Sequence, residues 1–166
     1  MATRPRVVLM CGPAGAGKST YARGLEAQGL VRLSIDEAAW AAGHREQPLP
    51  EPVRDEFERQ VQERLVSIVA AGGDVVVDLS FWSRRMREEY RALLAPLGVT
   101  PETVYLATPR QVALARVAAR DGGTANDVRL DEATAARYFD HFEPPTPEEG
   151  PLTVVRPPAC ERPAAP

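Results

Sequence analysis

The feature that most restricts the fold of this chain is a glycine-rich turn between an apolar segment and a helical one. Residues 12–19 read Gly-Pro-Ala-Gly-Ala-Gly-Lys-Ser and match the pattern GxxxxGK[ST]. The apolar run at residues 7–11 is typical of a buried strand, which we place at residues 6–11, and the periodicity of residues 18–28 is typical of a helix. A strand, this turn and a helix in succession predict a phosphate-binding loop at one edge of a parallel sheet.

Each part of this loop has a physical role in binding a nucleotide. The glycines let backbone amides turn towards the phosphates, and the positive end of the following helix favours an anion. Lys18 is expected to reach the β- and γ-phosphates, and Ser19 is expected to bind Mg²⁺. The alternative is a glycine-rich turn beside an exposed lysine. ATP and Mg²⁺ are the expected cofactors, and the expected binding residues are Gly12, Pro13, Ala14, Gly15, Ala16, Gly17, Lys18, Ser19 and Thr20.

Short β-branched runs alternate with longer helical stretches along the rest of the chain. This pattern predicts an α/β fold in which helices flank a five-stranded parallel sheet, in the order βαβααβαβααβ. A length of 166 residues suits one domain. We place that domain at residues 1–156 and expect residues 157–166, which are rich in proline, to form an extended or disordered tail.

Composition excludes several classes of protein. The chain is 44% hydrophobic and 26% charged, which is typical of a globular protein rather than a disordered or fibrous one. Its net charge of −3 disfavours nucleic acid and anionic membranes as partners. The two cysteines, Cys11 and Cys160, fit a reducing compartment, and the apolar run near the N-terminus is too short to span a membrane. We therefore expect a cytoplasmic protein.

Two carboxylates follow strands at the edge where the loop opens. Asp78 ends the apolar run of residues 75–77, so it either binds Mg²⁺ through water, organises the acceptor site or caps the next turn. Asp36 follows the second predicted strand and would face the γ-phosphate across the cleft. That position suits a general base for an acceptor hydroxyl, and the alternative is a cap for the helix of residues 37–42.

With these motifs, residues 6–156 resemble the small P-loop kinases that include zeta toxins, chloramphenicol phosphotransferase and the polynucleotide 5′-hydroxyl kinase domain. The resemblance is carried by the phosphate loop, by Ser-Ile-Asp at residues 34–36 and by Asp-Leu-Ser-Phe at residues 78–81 followed by Arg87. It implies a P-loop NTPase kinase fold with a short helical lid at about residues 116–130. It also implies that Asp36 accepts the proton of the substrate hydroxyl and that Arg87 helps to shape the acceptor site. A surface role is the alternative for Arg87.

Three further side chains are candidates for the same site. Arg116 and Arg120 are four residues apart, so a helix would present both on one face. In similar kinases, lid arginines meet the charge that develops on the β- and γ-phosphates, whereas the alternative here is a solvated surface. Trp40 is a candidate acceptor contact beside Asp36 and Arg87, because an aromatic face can stack on a sugar, a base or a drug ring. Core packing is the alternative for Trp40.

The predicted function is an ATP-dependent kinase that phosphorylates a hydroxyl group of a small molecule. Asp36 is the expected base, and Lys18, Arg116 and Arg120 are the expected phosphate contacts. An antibiotic, a sugar, a nucleoside and a nucleotide sugar all fit, because substrate pockets vary on one fold. Two alternatives stay open: a nucleotide-binding switch or NTPase without such an acceptor, and a polynucleotide 5′-hydroxyl kinase, which usually needs a cationic groove.

Overall fold

The computed structural model describes residues 3–157, so the predicted tail lies almost entirely outside the described residues. Strands and helices alternate in the predicted order. The strands are β1 (Val7–Cys11), β2 (Val31–Leu33), β3 (Val75–Val77), β4 (Glu102–Leu106) and β5 (Leu152–Val155). The helices are α1 (Lys18–Ala27), α2 (Ile35–Ala41), α3 (Glu51–Ala70), α4 (Arg84–Leu94), α5 (Arg110–Ala118) and α6 (Glu132–Asp140). Within residues 3–157, no helix has the length and apolar character needed to cross a bilayer.

The five strands form one sheet in the order β2-β3-β1-β4-β5, and all neighbouring strands are parallel. This confirms the predicted α/β fold. Strand β1 lies at the centre of the sheet. All five of its residues are apolar and buried, as expected of a strand covered on both faces. After β1, the chain first forms β2 and β3 on one side of this strand and later forms β4 and β5 on the other side. A cleft therefore opens beyond the carboxyl end of β1, where the glycine-rich loop begins.

Alternate side chains of β1 enter two separate hydrophobic cores. Val7 and Leu9 belong to the core that α3 and α4 cover. Val8 and Met10 belong to the core that α1 covers on the other face. Burial on both faces fixes the position of the strand ends, and with them the loops that carry the candidate site.

The end of α5 and the start of α6 define the two ends of the lid segment. Helix α5 ends at Ala118, so Arg120 lies beyond the helix that was expected to carry it. The lid segment, residues 116–130, therefore begins with the last turn of α5 and continues as an irregular loop rather than a short helix. Asp131 caps α6, since its carboxylate accepts a 2.9 Å hydrogen bond from the backbone amide of Thr134.

Candidate active site

The loop between β1 and α1 is shaped to bind an anion. Gly15 has φ +80° and lies so close to α5 that a Cβ atom there would stand 2.2 Å from the carbonyl oxygen of Ala113. Only glycine allows both this left-handed backbone and this close approach. No described side chain caps α1 at Gly17. The first amides of the helix are therefore open to an anionic ligand.

Lys18 is the first residue of α1 and lines the cleft. Its Nζ atom donates a 2.9 Å hydrogen bond to the carbonyl oxygen of Pro13, which holds the side chain across the loop. Burial lowers the pKa of Lys18, and the nearby carboxylates of Asp78 and Asp36 oppose that shift. An ammonium group that has lost much of its water binds a phosphate strongly.

Ser19 also lines the cleft, and its hydroxyl is in reach of the lid segment. The Oγ atom of Ser19 donates a 3.2 Å hydrogen bond to Oδ1 of Asn126. A hydroxyl beside bound phosphates is a suitable ligand for Mg²⁺, which prefers oxygen and usually takes few protein ligands. Thr20 is exposed on α1 and is not among the residues that line the cleft.

The carboxylate of Asp36 is not used as a helix cap. Ser34 caps α2 instead, because its extended backbone lets its Oγ atom accept a 3.2 Å hydrogen bond from the amide of Glu37. Asp36 therefore lies in the first turn of α2 and faces the cleft. Its Oδ1 atom accepts one long hydrogen bond, 3.4 Å, from Nε2 of Gln47. The alternative role as a cap is wrong, and the carboxylate is accessible to a ligand.

The electrostatic surroundings of Asp36 combine loss of water with opposing charges. Although solvent reaches the carboxylate, the cleft walls exclude much of the bulk water, and this burial raises the pKa of Asp36. Asp78 raises it further, whereas Lys18, Arg120 and Arg54 lower it. A carboxylate with a raised pKa is a stronger base than an ordinary surface aspartate.

Asp78 is held by a cation that sequence analysis did not single out. NH1 of Arg32 donates a 2.8 Å hydrogen bond to Oδ2 of Asp78, and both side chains are only 3% exposed. The same guanidinium pairs with Glu37 and lies 3.5 Å from Glu26. One cation therefore joins α1, α2 and the end of β3. An arginine on a short strand at the edge of a sheet ordinarily faces solvent, so no sequence signal identified Arg32.

The two predicted lid arginines take different positions. Arg120 lines the cleft, and its NH1 atom donates a 3.3 Å hydrogen bond to the carbonyl oxygen of Val128. Arg116 is exposed and donates a 3.3 Å hydrogen bond to the carbonyl oxygen of Gly15. Arg116 therefore braces the loop and is not among the residues that line the cleft.

Two predicted acceptor contacts lie away from the cleft. Arg87 is 1% exposed, and its donors are taken by the carboxylate of Glu149 at 2.8 Å and the carbonyl oxygen of Glu143 at 2.9 Å. It therefore anchors the segment after α6 to α4, and neither the acceptor role nor the surface alternative agrees with this burial. Trp40 packs against the guanidinium of Arg45, whose Cζ atom lies 3.8 Å from the ring centroid.

The cleft itself has a volume of about 540 Å³. Trp82 and Tyr138 line it and are 43% and 42% exposed, the two large aromatic side chains that stand exposed within residues 3–157. Arg54 of α3 and Arg137 of α6 line it as well. Sequence analysis missed Arg54, Arg137 and Tyr138, because the periodicity of a helix indicates its buried face and not which exposed residues meet a distant cleft.

Residues 7–145 match the family model AAA_33, which is described as an AAA domain. The chain belongs to this family. The matched region of the AAA_33 domain contains the phosphate loop, Asp36, Asp78 and the whole lid segment. No curated protein matches the chain.

Solved structures with a similar fold are named as kinases. A putative kinase from Chloroflexus aurantiacus has a TM-score of 0.75 at 20% identity, over 93% of this chain and 89% of that one. A gluconokinase from Sinorhizobium meliloti has a TM-score of 0.64 at 21% identity, over 92% and 83%. An APS kinase from Mycobacterium tuberculosis, in complex with AMPPNP and APS, has a TM-score of 0.59 at 21% identity, over 93% and 90%. The AAA_33 domain therefore has the fold of small P-loop kinases, as the sequence resemblance implied.

Proposed function

We propose that this protein is an ATP-dependent phosphotransferase that moves the γ-phosphate of ATP to a hydroxyl group of a small molecule. The observation that carries the proposal is that the phosphate loop, Lys18 and Asp36 share one cleft, where the two side chains are close enough to shift each other's pKa. Transfer to an alcohol needs a base opposite the terminal phosphate, and nucleotide binding alone does not.

On the nucleotide side, the loop amides and the amino end of α1 bind the β- and γ-phosphates. Lys18 and Arg120 neutralise charge on these groups, and Arg116 supports the loop through Gly15. Ser19 and, through water, Asp78 are the residues that would hold Mg²⁺. When bound, the ion neutralises charge shared between the β- and γ-oxygens during transfer.

On the acceptor side, Asp36 orients the hydroxyl and takes its proton. The hydroxyl oxygen forms a bond to the γ-phosphorus while the bond from that phosphorus to the β–γ bridging oxygen breaks. ADP leaves with the electron pair of the broken bond, and the proton stays on Asp36 until solvent removes it. Because the transition state is loose, the main contribution of the protein is to align the two oxygens and to neutralise charge.

Asp36 suits the role of base better than Asp78. The Oδ2 atom of Asp78 is engaged by Arg32 at 2.8 Å in a charge-assisted hydrogen bond. The contact of Asp36 with Gln47 is long, at 3.4 Å, and burial raises its pKa. A weakly bound carboxylate with a raised pKa accepts a proton more readily than one tied to a guanidinium.

The test is an assay of ADP release with Mg-bound ATP and a panel of hydroxylated metabolites and antibiotics, followed by mass spectrometry. An oligonucleotide with a free 5′-hydroxyl belongs in the panel. One class of small molecule should stimulate ADP release and gain one phosphate. Asp36→Asn should keep the affinity for ATP and lose about 10²-fold or more in transfer rate. Asp55→Asn, at an exposed position of α3, is the matched control and should behave like the native protein.

A nucleotide-binding switch is the second candidate, favoured by the hydrogen bond between Ser19 and Asn126. A Mg-bound nucleotide that engages the Ser19 hydroxyl would compete with this contact and move the lid segment. ATP turnover that no acceptor stimulates, and that Asp36→Asn leaves unchanged, would favour this function over transfer. Phosphate found on the oligonucleotide would favour the polynucleotide kinase instead.

A further inference from the structure

We propose that the acceptor is an anionic hydroxyl compound that carries a planar ring. The inference rests on the proposed function, because it names the class of molecule that receives the phosphate. Its basis is the acceptor half of the cleft, which we define as the part bounded by the α2–α3 connection, the start of α3, residues 79–82 and α6. Two independent features of this half point to the ligand: exposed aromatic rings and arginines without a carboxylate partner.

The aromatic feature is the pair Trp82 and Tyr138, which line the cleft although each is more than two-fifths exposed. The backbone beside Trp82 is firmly held. Phe81 has φ +45° and is fully buried, with its ring 4.8 Å from that of Tyr90, and the carbonyl oxygen of Trp82 accepts a 2.8 Å hydrogen bond from the amide of Glu143. A strained backbone that presents an exposed indole is typical of a binding site, and an aromatic face favours a planar ring.

The charge feature is an excess of cations in a chain whose net charge is −3. Four cationic side chains line the cleft together with two carboxylates. The cations are Lys18, Arg54, Arg120 and Arg137, and the carboxylates are Asp36 and Asp78. Lys18 and Arg120 lie beside the loop and the lid segment, where the nucleotide phosphates bind. Arg54 and Arg137 belong to the acceptor half, and neither forms an ion pair within residues 3–157.

Together these features define the ligand. A carboxylate or phosphate group on the acceptor would meet Arg54 and Arg137, and a ring would lie against Trp82 and Tyr138. A guanidinium binds a carboxylate or a phosphate through the same planar set of donors, so the proposal covers both kinds of anion. The remaining hydroxyl group would reach Asp36. A neutral, ring-free polyol would use neither feature.

The experiment separates ring from charge with four compounds that share ribose hydroxyls: ribose, ribose 5-phosphate, uridine and uridine 5′-monophosphate. Benzyl alcohol and 4-(hydroxymethyl)benzoate test a carboxylate in place of the phosphate. Affinity is measured by calorimetry on the full chain with Mg²⁺ and a non-hydrolysable ATP analogue. The compounds that combine a planar ring with an anion should bind about tenfold or more tightly than counterparts that are neutral or lack a planar ring.

Arg54→Gln and Arg137→Gln should each remove the advantage of the anion, so that uridine 5′-monophosphate binds no more tightly than uridine. Tyr138→Ala should remove the advantage of the ring. Arg64→Gln, an exposed position on the same helix as Arg54, is the control and should change none of these affinities. An anion preference that survives in the Arg54→Gln/Arg137→Gln double variant would overturn the proposal, as would failure of both ring-and-anion compounds to bind a protein that binds nucleotide.

The same compounds, incubated with Mg-bound ATP in place of the analogue and analysed by mass spectrometry, separate this inference from the proposed function. If the ring-and-anion compounds bind as expected but never gain a phosphate, the transferase assignment fails and the ligand class stands. If a neutral compound without a planar ring is the one that gains phosphate in an Asp36-dependent manner, the ligand class is wrong and the transferase assignment stands.

Discussion

Replacement of Arg32 by methionine should destabilise the fold strongly, because it leaves the carboxylate of Asp78 at 3% exposure without its 2.8 Å partner. Loss of one partner from a buried ion pair costs about 3–5 kcal/mol. The other partners of Arg32, Glu26 and Glu37, are 52% and 45% exposed, so water screens this pair from one side. We therefore expect the lower limit, about 3 kcal/mol of unfolding free energy. For a domain of this size, the unfolding midpoint should fall by about 6–12 °C.

Urea titration and thermal unfolding followed by circular dichroism measure this change. Arg59→Met is the matched control, because Arg59 pairs with exposed carboxylates on α3 and should leave the midpoint almost unchanged. The double variant Arg32→Met/Asp78→Leu should recover much of the loss, since it removes both buried charges. An Arg32→Met protein within about 1 kcal/mol of the native stability would refute the assigned role of this ion pair.

Three further predictions follow from the same geometry. Gly15→Ala should abolish the thermal stabilisation by nucleotide, because a methyl group would clash with the carbonyl of Ala113; an undiminished shift would contradict this. The transfer rate should fall as pH drops through the pKa of Asp36, which burial raises above 3.8, since only the ionised carboxylate accepts a proton; a flat kcat/KM profile would argue against this base. Burial opposes ionisation of Glu149, but hydrogen bonds from Arg87 lower its pKa to about 2. The ionised carboxylate therefore contributes stability that is fully present above pH 4.5 and is lost as the pH falls through about 2, and Glu149→Gln should lack this contribution. A deficit in the urea midpoint that is equal at every pH would disprove this linkage.

The sheet could be predicted because its two central strands, β1 and β3, are unbroken apolar runs and helical stretches separate the strands along the chain. The three valines of β3 and the five apolar residues of β1 are buried on both faces, and this environment leaves a local signature in the sequence. Helix ends were harder to predict. Nothing near Arg120 distinguishes a helix that ends at Ala118 from one that continues, because alanine at residues 118 and 119 favours a helix in either case.

Some residues of the candidate site could be predicted from nearby sequence, whereas others depend on partners that are distant along the chain. The phosphate loop and Asp36 could be found because motif, strand end and helix start lie within 25 residues of one another. The roles of Arg32 and Arg87 could not be predicted, since the buried carboxylates that hold them, Asp78 and Glu149, lie 46 and 62 residues away along the chain. Pairing of a buried cation over such distances is decided by tertiary packing, which spacing in the sequence does not report.

The central claim is that one cleft brings the γ-phosphate of ATP to an alcohol that Asp36 deprotonates. A single-turnover reaction with ATP that carries an isotope label in its γ-phosphate tests it most directly, with the product analysed by mass spectrometry. The native protein should place the label on a hydroxyl group of the acceptor, and Asp36→Asn should bind the same ATP without transferring it. Label found only in inorganic phosphate, or transferred equally by both proteins, would contradict the account.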